Sequence, residues 1–330
     1  MTAPPGTPAV IGFEHVSKVY RGGRVALDDV TFSLPPGGRL GLVGESGSGK
    51  TTCVRLALGL ERPSSGRLTF RSDPYPRGRR GLRPLRRQVG FVLQDPYDSL
   101  DPRMRLGEIV AEPLRSAGRA VPGRAPGEVA GLVAGQLAAV GLPGADLRAH
   151  PSRYSGGGRQ RIAIARALIG SPAVLICDEP TSSLDVSVQS QIVNLLLEAS
   201  RERGLALLFV SHDLDLIGRI TETVAVMYRG RVVEAGPAQL VRSAPRHPYT
   251  RALHDAVPAS HPRERRLARP SAGGAAAGGA LAGGASRSGC VFAGRCPRAT
   301  PRCHSERPPT VREQSPEGPR TYDCFHPISS

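Results

Sequence analysis

The chain has 330 residues, 44 Lys and Arg against 28 Asp and Glu, and a formal charge of +16, a length that supports one large α/β domain with an appendage. No apolar run reaches the roughly 18 residues of a transmembrane helix, and the opening MTAPPGTPAVIGFEHV lacks the basic and apolar regions of a secretory signal, so a location in the cytosol, or at a membrane only through partners, is expected. The positive balance does not point to nucleic acid, because aromatic residues make up only 4% of the chain and base stacking needs them; the basic residues are almost all Arg, with Lys only at Lys18 and Lys50.

In chain order, residues 11–35 alternate apolar and polar side chains with β-branched residues and read as antiparallel strands. Arg39 to Val43 is a short apolar strand that runs into a Gly-rich loop and then a helix, Thr51 to Leu60. Residues 66–93 return to strand patterns around seven arginines between Arg71 and Arg87, a composition that predicts a solvated loop. From about 95 to 155 the pattern is that of a helical insertion, with breaks at Pro102, Pro113 and Pro143. Residues 160–170 form an amphipathic helix, Ala173 to Cys177 a buried strand, Val186 to Glu202 a helix, Leu205 to Val210 another buried strand, and a further helix starts near Asp213. Strands alternating with helices imply a parallel sheet covered on both faces. Val224 to Glu234 reads as a strand pair turning at Arg229-Gly230, and residues 270–288 are of low complexity. The expected organisation is a main domain over 8–255, a flexible linker over 256–288 and an extension over 289–330 that holds four of the six cysteines. Cys53 and Cys177 lie in apolar segments and are expected to pack as small hydrophobes.

Gly44-Glu45-Ser46-Gly47-Ser48-Gly49-Lys50-Thr51 fits G-x-x-x-x-G-K-S/T between a strand and a helix. Glycines let successive backbone N–H groups turn inward on phosphates, and the helix that follows aims its positive end at the same anion. Lys50 is expected to reach the β- and γ-phosphates and the Thr51 hydroxyl to ligate Mg²⁺, with Thr52 beside it. Downstream, the strand Val174 to Cys177 ends in Asp178-Glu179. Neighbouring strand residues face opposite ways, so Asp178 is free to hold Mg²⁺ while Glu179 activates a water.

Between these motifs stands Tyr154-Ser155-Gly156-Gly157-Gly158-Arg159-Gln160-Arg161, which with the P-loop resembles the signature of ABC transporter ATPases; the resemblance covers about residues 11 to 255. It implies a P-loop NTPase core of α/β class, with an antiparallel β subdomain, a helical insertion and here a small C-terminal extension. It implies that Gln94 senses Mg²⁺, that Asp185 in Ser183-Leu184-Asp185 crosses a dimer interface, that His212 contacts the γ-phosphate and that Tyr20 stacks on adenine. Ser155, Gly156 and Gly157 would then meet the ATP of a second, homologous or identical, ATPase subunit. Gly158 departs from the family, which usually has Gln there, and this removes a side-chain amide and loosens the helix start.

Gln94 to Arg103, His247 to Leu253 and the tail from Gly289 to Pro297 are similar to stretches of the ATPases of oligopeptide and dipeptide importers, to which nickel-importer ATPases are closely related. The implied partners are two integral-membrane permeases and an extracellular solute-binding protein, at the cytoplasmic face of the membrane. Two other readings compete. A soluble ABC protein acting on DNA or ribosomes would show two cassettes or a long coiled-coil insertion, and a non-hydrolysing half would lack Glu179 or His212. The tail cysteines, Cys290, Cys296, Cys303 and Cys324, are separated by five, six and twenty residues. Structural zinc sites use a tighter pair, whereas iron–sulfur spacing is more permissive. The residues leave open a 4Fe–4S cluster, a zinc ion, with His304 or His326 in place of a cysteine in either, or four free thiols; the family resemblance points to the cluster.

Overall fold

The computed structural model describes residues 9–116, 126–256 and 288–329. The linker expected over 256–288 lies, apart from its end residues, outside them.

The first strands, β1 (Ile11–Val19) and β2 (Val25–Leu34), pair antiparallel. Then come β3 (Arg39–Val43), α1 (Lys50–Ala57), β4 (Ser65–Phe70), β5 (Asp73–Pro74), α2 (Gly78–Gln88) and β6 (Val89–Val92). The helical insertion contributes α3 (Pro96–Ser99), α4 (Leu106–Ser116) and α5 (Pro126–Ala139). It is followed by α6 (Gly156–Leu168), β7 (Val174–Asp178), α7 (Val186–Arg203), β8 (Ala206–Ser211), α8 (Leu214–Ile220), β9 (Thr223–Tyr228), β10 (Arg231–Pro237), α9 (Ala238–Ser243) and α10 (Pro248–Asp255). The tail holds α11 (Pro301–Ser305), β11 (Thr310–Ser315) and β12 (Gly318–Asp323).

Two sheets result. A four-stranded antiparallel sheet has the order β2-β1-β4-β5, and an eight-stranded sheet has the order β11-β12-β10-β9-β3-β8-β7-β6. Within the larger sheet, β9, β3, β8, β7 and β6 run parallel. Of these, β3, β7, β8 and β9 are buried on both faces, as parallel strands under two covering layers must be. Along β7, Val174 and Ile176 enter the core shared with the smaller sheet and α1, while Leu175 and Cys177 enter the core shared with the helices; Ala206, Leu208 and Val210 divide from Leu207 and Phe209 in the same way along β8. The period of two therefore carries Asp178 toward the α1 side, while Glu179, one residue past the strand end, leaves the alternation with a φ of 45°.

Three local expectations need correction. The arginine-rich stretch is largely helix, α2, and not a loop: Leu85 is buried on one side, and Arg86 donates to the Gly59 carbonyl at 3.2 Å. Pro113 does not break the insertion but lies inside α4, where buried Val110 and Leu114 on either side of it hold the helix to the core. The P-loop helix stops at Ala57 and not Leu60, because Gly59 adopts a left-handed φ of 62° and its N–H bonds back to Leu56.

The tail extends the main sheet. β12 pairs antiparallel with β10 through Glu234↔Tyr322 and Ala235↔Thr321, and β11 caps the new edge. The join is held by charge. Glu313 accepts from Arg246 at 2.9 and 2.7 Å and from Arg320 at 2.9 Å, and the buried Arg320 also donates to the Ala244 carbonyl at 2.6 Å. Buried Glu234 accepts the backbone N–H groups of Arg246 and His247, both at 2.9 Å.

Hydrogen bonds from Arg246 and then Arg320 hold the Glu313 carboxyl down at about 2, against an ordinary value of 4.5. A depressed carboxylate stabilises the fold fully above its ordinary value and loses that contribution as pH falls toward the folded one. Glu313→Ala is expected to lower stability by about 1–3 kcal/mol at neutral pH, because Arg320 is left short of a partner, and to flatten the loss of stability between about pH 4.5 and 2. Denaturant unfolding followed by tyrosine fluorescence at neutral and acid pH measures both; an unchanged midpoint at neutral pH would show that the anchor carries no weight.

Candidate active site

Sheet register assembles the site. β3 pairs with β8 through Val43↔Ser211, and β7 pairs with β8 through Asp178↔Val210. The residues that follow, Gly44, His212 and Glu179, therefore leave the sheet at one edge, its C-terminal one, where open α/β sheets bind ligands. In the loop, Gly49 has a φ of 109° and lies against the Ala26 carbonyl and Leu27, so a side chain there would be both strained and obstructed. Ser46, Gly47 and Thr51 are exposed, whereas Ser48, Lys50 and Thr52 are buried.

Glu179 is the hub. Its carboxylate lies 3.9 Å from Lys50 Nζ, 3.5 Å from Gln94 Nε2 and 3.3 Å from His212 Nδ1. The three side chains come from α1, from the segment after β6 and from the segment after β8. Glu179 itself has a φ of 45° and its N–H bonds to the Val210 carbonyl at 3.0 Å. A left-handed glutamate at a sheet edge is a strained conformation, held here by that bond to β8. Lys50 Nζ meanwhile donates to the loop's own carbonyls, Gly44 at 2.6 Å and Glu45 at 3.0 Å. Burial lowers the Lys50 pKa against the opposing pull of Glu179, Asp178 and Glu45. Asp178 is pushed up, first by burial and then by the charge of Glu179. Asp178 and Glu179 are adjacent carboxylates that both act on Lys50, a set whose charge a divalent cation would neutralise, and Gln94 lies 3.5 Å from Glu179.

The signature residues form a second group. Ser155 caps α6 by accepting from Gly158 N–H at 3.3 Å, and Asp185 caps α7 by accepting from Val188 N–H at 2.9 Å and Ser187 Oγ at 2.7 Å, which holds its carboxyl below the ordinary range. Gly156 and Gly157 lie against Leu184 and Val188, so the signature and the start of α7 are in close approach. A Cβ at Gly158 would come 3.1 Å from that of Tyr154. A larger residue at 158 would therefore require Tyr154 to give by a few tenths of an ångström. Among the described residues, no hydrogen bond or ion pair joins Ser155, Gly156 or Gly157 to the Lys50–Glu179 group. Tyr20 stands in a third place: its hydroxyl donates to Glu61 at 2.9 Å, and Lys18 and Arg24 lie 5.1 and 5.0 Å from its ring.

Cys290, Cys296, Cys303 and Cys324 line one cavity together with Phe292 and His326. His304 is exposed and does not line it. Burial pushes the Cys290 and Cys296 thiols up and Cys324 up to about 11, so each is a neutral thiol when no cation is near. Among the described residues no group of three or more His, Cys, Asp or Glu side chains is set to hold a single metal ion. Cys53 and Cys177 are fully buried, and their thiols are raised by desolvation. Two contacts to the loop were not foreseen, from Tyr249 and Arg295 to Glu45; the motifs around them were visible, but nothing local tied them to residue 45.

The sequence family described as ABC transporter matches residues 27–182, and that described as oligopeptide/dipeptide transporter, C-terminal region, matches residues 233–303. The chain is 44% identical over 293 residues to a putative peptide import ATP-binding protein of Brucella abortus, covering 87% of this chain and 84% of that one. It is 47% identical over 247 residues to the glutathione import ATP-binding protein GsiA of Escherichia coli, covering 74% of this chain and 39% of GsiA. Among solved structures, cbiO1 from Clostridium perfringens, part of the ABC transporter complex cbiONQ, superposes with a TM-score of 0.64 at 30% identity, covering 71% of this chain and 90% of that one. The ATP-binding cassette MJ0796, solved as a dimer with ADP and Pi, gives a TM-score of 0.63 at 28% identity, covering 69% and 98%.

Proposed function

The chain belongs to the ABC transporter family, and from that premise we propose that it powers peptide import by hydrolysing ATP at the Lys50–Glu179 edge of its main sheet. ATP is the nucleotide of this family. The observation that carries the reading is Glu179, which gathers Lys50, Gln94 and His212 at the mouth of the phosphate loop. Glu179 orients and deprotonates the attacking water, and His212 meets the γ-phosphate. Lys50 exchanges the Gly44 and Glu45 carbonyls for the β- and γ-phosphates, while the amides of Ser46, Gly47 and Gly49 through Thr52 cradle them. Thr51, Asp178 and Gln94 would hold Mg²⁺, which when bound would supply positive charge to the phosphates. Tyr20 stacks on the adenine, which requires its ring to leave Arg24 or to offer its other face.

Ser155, Gly156, Gly157 and Asp185 serve the nucleotide of a second ATPase subunit, either a homologous chain or another copy of this one. That no described hydrogen bond or ion pair joins Ser155, Gly156 or Gly157 to the Lys50–Glu179 group is in keeping with this division. Residues 8–255 act as the nucleotide-binding unit and 289–330 as its extension. No described helix is long and apolar enough to cross a membrane. By family membership the proposed route of transport is two separate permeases, with this subunit peripheral at the cytoplasmic face and an extracellular protein delivering the solute. The peptide class is supported by the C-terminal family match and by the names of the relatives. The four tail thiols are the proposed ligands of a 4Fe–4S cluster, supported by their common cavity. Bound there, the cluster would cross-link a small unit with few apolar residues.

Glu179→Gln keeps the shape and removes the base, so ATP affinity is expected to hold while turnover in the assembled transporter falls by about 10²-fold or more. Near-normal turnover would remove Glu179 from the role. Anaerobically purified protein is expected to be brown, with a visible charge-transfer band and iron and sulfide in equal amounts, and each Cys→Ser change at 290, 296, 303 or 324 should weaken that band. A colourless anaerobic preparation without iron would end the cluster reading.

A further inference from the structure

Glu45 has every polar atom engaged, and two of its partners come from far along the chain. Its carbonyl accepts from Lys50 Nζ at 3.0 Å. Its N–H donates to the Tyr249 hydroxyl at 2.9 Å. Tyr249 is fully buried, with its ring 4.4 Å from that of Tyr228 and 5.4 Å from that of Phe292. The Glu45 carboxylate accepts from both arms of Arg295, at 2.8 and 3.1 Å. Arg295 sits in the short turn between Cys290 and Cys296, and its guanidinium lies 5.8 Å from the Phe292 ring and 5.9 Å from the Tyr228 ring. The cysteine-bearing turn therefore rests on the phosphate loop.

A carboxylate at this place is an electrostatic liability. The loop amides are arranged for an anion, and Glu45 is near enough to Lys50 to act on its charge. A bound triphosphate would bring several negative charges to the same lysine, and an uncompensated Glu45 would repel them. We propose that Arg295 is a positioning residue for triphosphate binding: the C-terminal unit lends the phosphate loop a cation that cancels Glu45 and holds it by a two-armed contact. Tyr249 fixes the backbone at the same residue, so the loop is braced from outside at both its main chain and its side chain. The inference rests on the nucleotide reading of the loop. The ion pair is about half exposed, with side chains 53% and 42% accessible, so solvent screens it and the effect is several-fold, not orders of magnitude.

The test is the ATP·Mg²⁺ affinity of the full-length chain, measured by calorimetry at low and at physiological salt. Arg295→Ala is expected to weaken binding about fivefold, less at higher salt, as an exposed pair should. Arg295→Lys should retain most of the affinity, since it keeps the charge and loses only the fork. Adding Glu45→Gln to Arg295→Ala should restore near-normal affinity. A loss that persists unchanged in the Glu45→Gln background would mean that the turn acts through structure alone and would overturn the proposal, as would an Arg295→Ala chain of normal affinity. Lys50→Ala separates the two readings. If Lys50→Ala loses binding while Arg295→Ala does not, only the present inference fails; a wild-type chain that binds no ATP sinks both.

Discussion

The pairing of β3 with β8 on one side and β9 on the other is the constraint on which the rest depends. These strands are buried on both faces, so every backbone group they carry must be satisfied within the sheet. Their register then leaves no freedom: Val43 opposite Ser211 sets the phosphate loop beside His212, and Val210 opposite Asp178 sets Glu179 beside both. A slip of one residue would exchange the alternate rows of β7 and β8 between the two cores and carry Asp178 to the other side of the sheet. The chemistry is thus positioned by the most buried part of the molecule, while the groups that perform it stand at its edge.

The same sheet explains why the tail matters to the site. Strand β10, which follows the turn at Arg229-Gly230, presents an edge, and β12 with β11 covers it. Covered, that edge is not available for pairing with another chain. Arg246, Arg320, Glu234 and Glu313 lock the join, and β10's first residue, Arg231, binds Asp28 at 2.7 Å across to the smaller sheet. The turn between Cys290 and Cys296 is thereby brought over the phosphate loop. The turn that carries Cys290 and Cys296 thus contacts the residue next to Gly44 through Arg295.

Much of this was legible in the sequence, because the informative signals are local. The phosphate loop carries its own context of strand and helix, and Asp178-Glu179 ends an unbroken apolar run; that Ser155, Asp185 and Asp213 cap helices was not among the expectations. Less was legible where the signal is weak or distant. In α2 the arginines hide the one pair, Leu82 and Leu85, that marks a helical face. In β11 the run Thr310–Ser315 is mostly polar because it is an outer edge strand, so no hydrophobic alternation announces it. Tyr249 and Arg295 meet Glu45 across 204 and 250 residues, a separation at which only the folded chain supplies the link. The cysteine spacing identified four candidate ligands, but not that all four border one cavity.

The account's central claim is that the site is split: the Lys50–Glu179 group serves this chain's nucleotide, and the Ser155–Gly157 group serves a partner's. Ser155→Arg tests it most directly. Ser155 is exposed and its main local duty is to cap α6, at a cost of about 1 kcal/mol if lost, so the chain should still fold. ATP affinity of the isolated variant and turnover of the assembled transporter are the two readings. The account predicts unchanged affinity and a collapse of turnover; loss of affinity in the isolated chain, or turnover that survives intact, would contradict it.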